Sequence, residues 1–165
     1  MIEFKPLDQF EKGLIYKLLK DSYASLLVLE PDFTHEYEAN WERTDDDLWG
    51  ASSSSGSAVI STLGSKPIGF VSWYEEGANV GSIGHNCIVP THRQKGYGKR
   101  QVRMALRELS LQVNCIRVVT ANHPSFIPAR KTYLSCGFIE KGRSRTGAFG
   151  GLELVYYEHA LKRYT

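Results

Sequence analysis

Apolar and polar residues alternate along this chain in patterns that change period several times. Residues 2–5 read as a short strand ended by Pro6. Asp8 then stands where a helix N-cap would, and Phe10, Leu14, Leu18 and Ala24 follow at helical spacing with Ile15 and Leu19 beside them. That stripe predicts an amphipathic helix through about Ser25. Thr34 opens a second helical stretch, with Tyr37, Trp41 and Leu48 as its apolar members. The run Ser52–Ser55 with Gly56 reads as a loop. β-rich runs at 58–63 and 68–75 flank Gly64-Ser65-Lys66-Pro67, which is a hairpin signal. A third strand, about 80–89, stops at Pro90.

The period returns to 3.6 over 97–112. Val102, Leu106, Leu109 and Val113 form one stripe, and Arg100, Arg103 and Arg107 lie on the other side. CIRVVT at 115–120 reads as a buried strand. A short helix at about 128–135 starts at Pro128, a favourable first-turn residue, and Gly137 is its expected C-cap. Two last strands, about 138–145 and 152–159, have Gly147–Gly151 as their turn. The order is β-α-α-β-β-β-α-β-α-β-β. It predicts one α/β (α+β) domain over residues 1–165 with a mostly antiparallel start.

Composition narrows the function classes. The chain has 165 residues, 42% apolar and 23% charged, and Lys plus Arg exceeds Asp plus Glu by 20 to 18. Those values exclude a collagen-like, coiled-coil or wholly disordered chain. The near balance argues against a nucleic-acid partner. Cys87, Cys115 and Cys136 are too few and too spread for a disulfide framework or a metal site, and His35, His92, His123 and His159 have no partners at metal spacing. The opening MIEFKPLDQF has no apolar core of a signal peptide. No run reaches the roughly 20 apolar residues that span a bilayer. The expectation is a soluble cytoplasmic protein, monomer or homodimer, with reduced thiols, no membrane partner and no metal.

The richest chemistry lies in Ile88-Val89-Pro90-Thr91-His92-Arg93-Gln94-Lys95-Gly96-Tyr97-Gly98-Lys99-Arg100. A strand ends, a polar Gly-rich loop follows, and a helix begins. Such a loop aims consecutive backbone N–H groups at one place, and the helix start adds a positive field. The product is an anion site suited to a pyrophosphate. Gly96 and Gly98 would let the ligand approach the backbone. Arg93, Lys95, Lys99 and Arg100 surround it with positive charge. The spacing is neither G-x-x-x-x-G-K-[ST] nor G-x-G-x-x-G.

The pattern R-x-x-G-x-G after a V-P turn resembles the acetyl-CoA-binding motif of the GNAT N-acetyltransferase superfamily, Q/R-x-x-G-x-G/A. Ala129, Tyr133, Gly137 and Phe138 also fit that family's A-x-x-x-Y-x-x-x-G-F segment. The region from Thr120 to Phe138 is similar to that of small bacterial members. The element order agrees from first strand to last, so the resemblance covers essentially the whole chain. It departs at Phe126, where many members carry Asn; Asn122 is the substitute polar residue.

The resemblance implies a mixed, mostly antiparallel central sheet of about seven strands flanked by about four helices. The strand ending at Ile88 and Val89 would splay from the one at 115–120, and the pantetheine arm of acetyl-CoA would enter the gap. A backbone N–H near Asn86–Ile88 would polarise the thioester carbonyl. Arg93, Gln94, Lys95, Gly96, Tyr97 and Gly98 would hold the pyrophosphate through main-chain amides, with Lys99 adding positive charge and Asn122 as a further CoA contact. Tyr133 would protonate the departing thiolate. The implied activity is direct acetyl transfer from acetyl-CoA to a small-molecule or peptide amine in a ternary complex. The rival readings are a catalytically silent CoA-binding module and a nucleic-acid-binding regulator that uses the basic helix.

His85 is the candidate general base, since imidazole titrates near neutrality. Glu75 and Glu76, better read as a solvated strand end, and a water chain to bulk are the alternative routes for proton removal. His85 and Asn86 are neighbours on a strand and so face opposite sides. The bland reading of His85 is a packed residue, and that of Tyr133 a core ring. Charge, finally, is unevenly spread. Residues 92–107 hold six basic side chains and no acid, whereas residues 30–47 hold eight acids and one base, Arg43. The first segment suits an anionic cofactor. The second reads as a solvated helix face or as an attractor for a cationic acceptor.

Overall fold

The computed structural model describes residues 1–50, 57–145 and 149–161. One mixed sheet of seven strands forms its centre: β1 (Ile2–Pro6), β2 (Ser57–Leu63), β3 (Lys66–Gly77), β4 (Val80–Ile88), β5 (Cys115–Ala121), β6 (Ile139–Ser144) and β7 (Leu154–Ala160). Their spatial order is β1-β2-β3-β4-β5-β7-β6. Every neighbouring pair is antiparallel except β4 and β5, which are parallel. The helices are α1 (Leu14–Ser22), α2 (Ala24–Leu29), α3 (Thr34–Trp49), α4 (Tyr97–Ser110) and α5 (Ile127–Ser135).

The two faces of the sheet are buried under different helices. Ile15, Leu18 and Leu19 of α1 and Tyr37 and Trp41 of α3 pack with Ile60, Phe70 and Cys87. Val102, Ala105 and Leu109 of α4 pack on the other face with Val71, Ile83, Ile116 and Val118. Leu106, expected in that stripe, is only partly buried, because the sheet-facing row also takes in Ala105 and a glutamine, Gln101.

The N-terminal helix differs most from its prediction. A 3-10 turn at Leu7–Gln9 precedes it, and the α-helix starts at Leu14, after Gly13 in the left-handed region at φ 97°. The capping carboxylate is not Asp8. It comes from buried Asp45 on α3, which accepts from the N–H groups of Gly13 at 3.0 Å and Tyr16 at 3.1 Å. A cap delivered from a distant helix leaves no local signature in the sequence. The helix then breaks at Tyr23 (φ −111°, ψ 20°) instead of running to Ser25.

The hairpin turn is two residues, Gly64-Ser65, and β3 already begins at Lys66. Pro67 is tolerated in the strand because it faces Thr62 at a register irregularity. The loop expected at Ser52–Ser55 with Gly56 lies outside the described residues, as does part of the Gly147–Gly151 turn. No helix is long and apolar enough to cross a membrane among the described residues.

Candidate active site

The parallel pair β4–β5 is hydrogen-bonded only from Val80 opposite Cys115 to Ile83 opposite Val118. Past that point the strands separate. Their divergence coincides with a bulge, where Val71 and Trp73 on β3 match Asn86 and Ile83 on β4. The amide of His85 is left off the ladder and donates to Ser72 Oγ at 2.9 Å. The splay expected from the sequence is thus present, and a bulge accompanies it.

Two cavities meet in the gap. The larger, ≈ 580 Å³, runs between the end of β4, the start of α4 and one face of α5. The smaller, ≈ 70 Å³, is bounded by Gly84–Asn86 of β4, Val119–Ala121 of β5 and several aromatic rings. Tyr23, Asn86, Phe126 and Ala129 border both.

The loop at the mouth of the larger cavity is built as an anion nest. Gln94 (φ 60°) and Gly96 (φ 77°) both take left-handed conformations, which turn successive N–H groups toward one side. Among the described residues, no carbonyl takes the N–H groups of Gln94 through Lys99; the first helical bond runs from Arg100 N to Gly96 O at 3.2 Å. A Cβ on Gly96 would meet nothing within 4 Å, so the space above those amides is open.

Ile88, Arg93, Gln94, Gly96, Tyr97, Gly98 and Lys99 of the predicted set border the larger cavity. Val89 and Lys95 do not. Val89 packs between two core clusters, and Lys95 is exposed on the loop. Asn122 also stands apart; its amide donates to Glu153 at 2.7 Å and accepts from Arg130 at 2.8 Å. Arg93 is placed at the cavity but acts as a strut. Its backbone N–H goes to Pro90 O, and its guanidinium donates to Ile88 O at 2.9 Å and to Ser22 O. An anion at the nest would therefore meet main-chain N–H groups from Gln94 onward.

Sequence reading missed part of the wall. Pro128, Thr132 and Ser135 of α5 face the cavity, with Lys131 beside them. Their spacing of four and three residues was a usable signal. Lys131 and Lys99 place cationic side chains on opposite walls. Tyr133 faces the other way, onto Phe138 (5.9 Å, 65° between rings) and Tyr157. The Y-x-x-x-G-F spacing has a structural cause: Phe138 N donates to Tyr133 O and Gly137 N to Leu134 O, with Gly137 at φ 90°, the double bond of a Schellman stop.

His85 and Asn86 do face opposite sides. His85 Nε2 lies 3.3 Å from Thr44 Oγ1 on α3, while Asn86 turns to α4. The single Thr44 hydroxyl proton goes to Asn40 O. The imidazole must then donate from Nε2, and Nδ1 keeps a lone pair. Burial lowers the His85 pKa to about 4, so the ring is neutral. Burial also raises the phenol pKa of Tyr133, with Cys87 and Tyr157 adding to the shift, and that of Tyr23 in the same way. Both stay protonated at neutral pH.

Half of the eight acids in the acidic segment, residues 30–47, are committed to structure in the following contacts. Asp45 caps α1, Asp46 pairs with Lys12, Glu38 pairs with Lys20, and Glu36 accepts from Gly150 N. Among the described residues, no three His, Cys, Asp or Glu side chains converge as a metal site.

The sequence profile of the acetyltransferase (GNAT) family matches residues 17–138, which include the splayed strands, the nest and α5. The chain belongs to the GNAT acetyltransferase family. The fold agrees. A GNAT-family protein from Desulfovibrio desulfuricans is 15% identical, covers 97% of this chain and 98% of its own, and superposes with a TM-score of 0.76. The ribosomal-protein-S18-alanine N-acetyltransferase of Escherichia coli is 13% identical, with coverages of 100% and 97% and a TM-score of 0.73. A Bacillus anthracis acetyltransferase in complex with acetyl coenzyme A is 22% identical, with coverages of 65% and 63% and a TM-score of 0.58. No curated protein matches the chain. Family membership confirms the resemblance carried by the R-x-x-G-x-G and A-x-x-x-Y-x-x-x-G-F residues.

Proposed function

We propose that this GNAT protein moves the acetyl group of acetyl-CoA to an amine, directly and within a ternary complex. The observation that carries the reading is the open nest at Gln94–Lys99, at the mouth of a cavity along the end of β4 that shares its wall with the smaller cavity inside the β4–β5 splay. Main-chain N–H groups and a helix start suit a pyrophosphate. Lys99 and Lys131 suit the remaining negative charge, and the unpaired strand edges offer partners to the amide-bearing pantetheine arm.

In the proposed step the amine nitrogen bonds to the acetyl carbon as the carbon–sulfur bond breaks. One amine proton is relayed through His85 to solvent, and the departing CoA sulfur, hydrogen-bonded by Tyr133, takes up a proton from solvent, so CoA leaves as the thiol. His85 Nδ1 accepts a hydrogen bond from the amine and holds its lone pair toward the thioester. Its depressed pKa suits it to orient the amine and relay a proton, not to store one. Tyr133 donates to the developing thiolate. Its phenol pKa is raised well above that of a thiol, so a hydrogen bond to sulfur, short of full transfer, is the stabilising interaction.

Calorimetry with acetyl-CoA, followed by thiol release across an amine panel, tests the reading. Micromolar binding with amine-dependent release is expected. Binding without release from any amine would leave a silent CoA-binding module. Failure to bind, with salt-sensitive binding to DNA instead, would favour the nucleic-acid reading.

A further inference from the structure

The smaller cavity carries chemical information about the acceptor. Four rings contributed by separate parts of the chain form one continuous stack along it. Tyr37 stacks on Trp41 at 6.2 Å and 19°, Trp41 on Tyr23 at 6.0 Å and 21°, and Tyr23 on Phe126 at 5.3 Å and 30°. Leu26, Leu152 and Leu154 complete the apolar wall. Among the described residues, none that borders it is Lys, Arg, Asp or Glu.

Among the described residues, the charges nearest the stack are a carboxylate toward each end and the Arg93 guanidinium near Tyr23. Glu36 accepts from Gly150 N, beside Tyr37, and Glu30 accepts from His123 Nε2 at 3.2 Å, next to Phe126. Both carboxylates are close enough to Tyr37 to oppose ionisation of its phenol.

We infer that the acceptor is a primary amine on a compact apolar skeleton, aliphatic or aromatic, that carries no carboxylate or phosphate. The inference rests on the acetyl-transfer reading above and names the class of its second substrate. An ammonium ion is drawn toward Glu30 and Glu36 and is tolerated over aromatic faces. Inside the apolar wall the neutral amine is favoured over the ammonium, and the neutral amine is the nucleophile. The bond changes are those already given, with the amine proton lost and CoA released as the thiol. An acceptor carboxylate would be buried against rings, with the nearby Arg93 guanidinium already tied to Ile88 O and Ser22 O, and would meet Glu30 and Glu36 on entry. A sugar or a polyamine would bring further hydroxyl or ammonium groups against rings that leave them without partners.

The test compares amines that differ only by a carboxylate: isoamylamine against leucine, and 2-phenylethylamine against phenylalanine. Amino acids have the less basic amines, so ionisation alone favours them. We expect kcat/KM for the carboxylate-free partner to be higher by at least about a hundredfold in one or both pairs, with spermidine a poor acceptor. A second arm uses Val119→Lys. Val119 borders the cavity and is 41% exposed, so a lysine there is accommodated without burying its charge. It should raise kcat/KM for the amino acids about tenfold relative to isoamylamine, a ratio that any change in acetyl-CoA affinity leaves unaltered. Equal or better turnover of leucine, phenylalanine or spermidine by the unaltered protein overturns the inference and leaves acetyl transfer standing. So does acetyl-CoA binding with no acetylation of either apolar amine. Absence of acetyl-CoA binding overturns acetyl transfer itself, and the inference with it.

Discussion

Gln101 donates from Nε2 to Asn86 Oδ1 at 2.6 Å, and Asn86 Nδ2 donates in turn to Gly98 O at 3.4 Å. A fully buried amide on α4 thus fixes a β4 side chain that holds the start of α4. Gln101 also reaches Phe70 O and Cys87 O and accepts from Ser61 Oγ at 2.6 Å. These bonds span the part of the sheet where β4 leaves β5.

Removing that amide should therefore affect stability and the nest together. Gln101→Leu keeps the volume but leaves Asn86 Oδ1 and Ser61 Oγ without their partner in a dry interior. We expect a loss of about 3 kcal/mol and a fall in Tm of roughly 10 °C. Acetyl-CoA affinity should fall as well, because Asn86 no longer positions Gly98. Thermal denaturation and calorimetry on the same preparations check both. Unchanged stability would mean that the network contributes nothing net.

Gly96 tests the nest more directly. It sits at φ 77°, where a β-branched residue is strained by roughly 1–2 kcal/mol. A Cβ there meets no protein atom within 4 Å, so strain is the only folding penalty. Yet the new side chain would stand over the amides of Gln94–Lys99. Gly96→Val should weaken acetyl-CoA binding at least about tenfold, or 1.4 kcal/mol, while the protein remains folded at 25 °C. Calorimetry showing native affinity would place the pyrophosphate elsewhere.

His85 makes stability depend on pH in a known direction. Its pKa falls from 6.5 to about 4 because the charged ring is penalised by burial. The unfolded chain then takes up this proton first as pH drops. The contribution is fully present above pH 6.5 and is lost between 6.5 and 4, at up to about 1.4 kcal/mol per pH unit. His85→Gln should flatten that part of the acid limb. Urea denaturation at pH 7 and pH 5 for both proteins gives the comparison, since the carboxylates titrate alike in each. An identical pH 7 to pH 5 difference in the variant would show that His85 is not buried neutral.

Local patterns disclosed most of this architecture, and the failures share one cause. Tyr133, Gly137 and Phe138 were legible because the helix stop is written within six consecutive residues. The nest was legible because Gly96 and Gly98 follow a strand end. The start of α1 was not, because its cap, Asp45, lies 32 positions from Gly13. Arg93 was read as a phosphate ligand; its real ties, to Ser22 and Ile88, involve backbone carbonyls that no side-chain pattern announces. Gln101 has no sequence signature, because the partners a buried amide needs come from β2, β3 and β4. The ring stack was hidden for the same reason, since its four members span residues 23 to 126.

In the proposed transfer, two phenols are candidates for donating to the leaving thiolate. Tyr133 borders only the smaller cavity, held by its ring contacts to Phe138 and Tyr157. Tyr23 borders both cavities, where the break between α1 and α2 places it. Burial raises the pKa of each, so both are hydrogen-bond donors at any pH the protein tolerates. Loss of a positioned proton donor lowers kcat by about a hundredfold or more, whereas loss of a packing hydroxyl changes KM or stability first. Tyr133→Phe should therefore lower kcat by about that factor with acetyl-CoA affinity intact, and Tyr23→Phe should chiefly raise the acceptor KM by loosening the ring stack. Steady-state kinetics on both variants, with one acceptor found in the amine panel, separates the roles. If the hundredfold loss follows Tyr23→Phe and Tyr133→Phe is silent, the donor is the phenol at the α1–α2 break, and Tyr133 is a core ring whose hydroxyl is incidental to transfer.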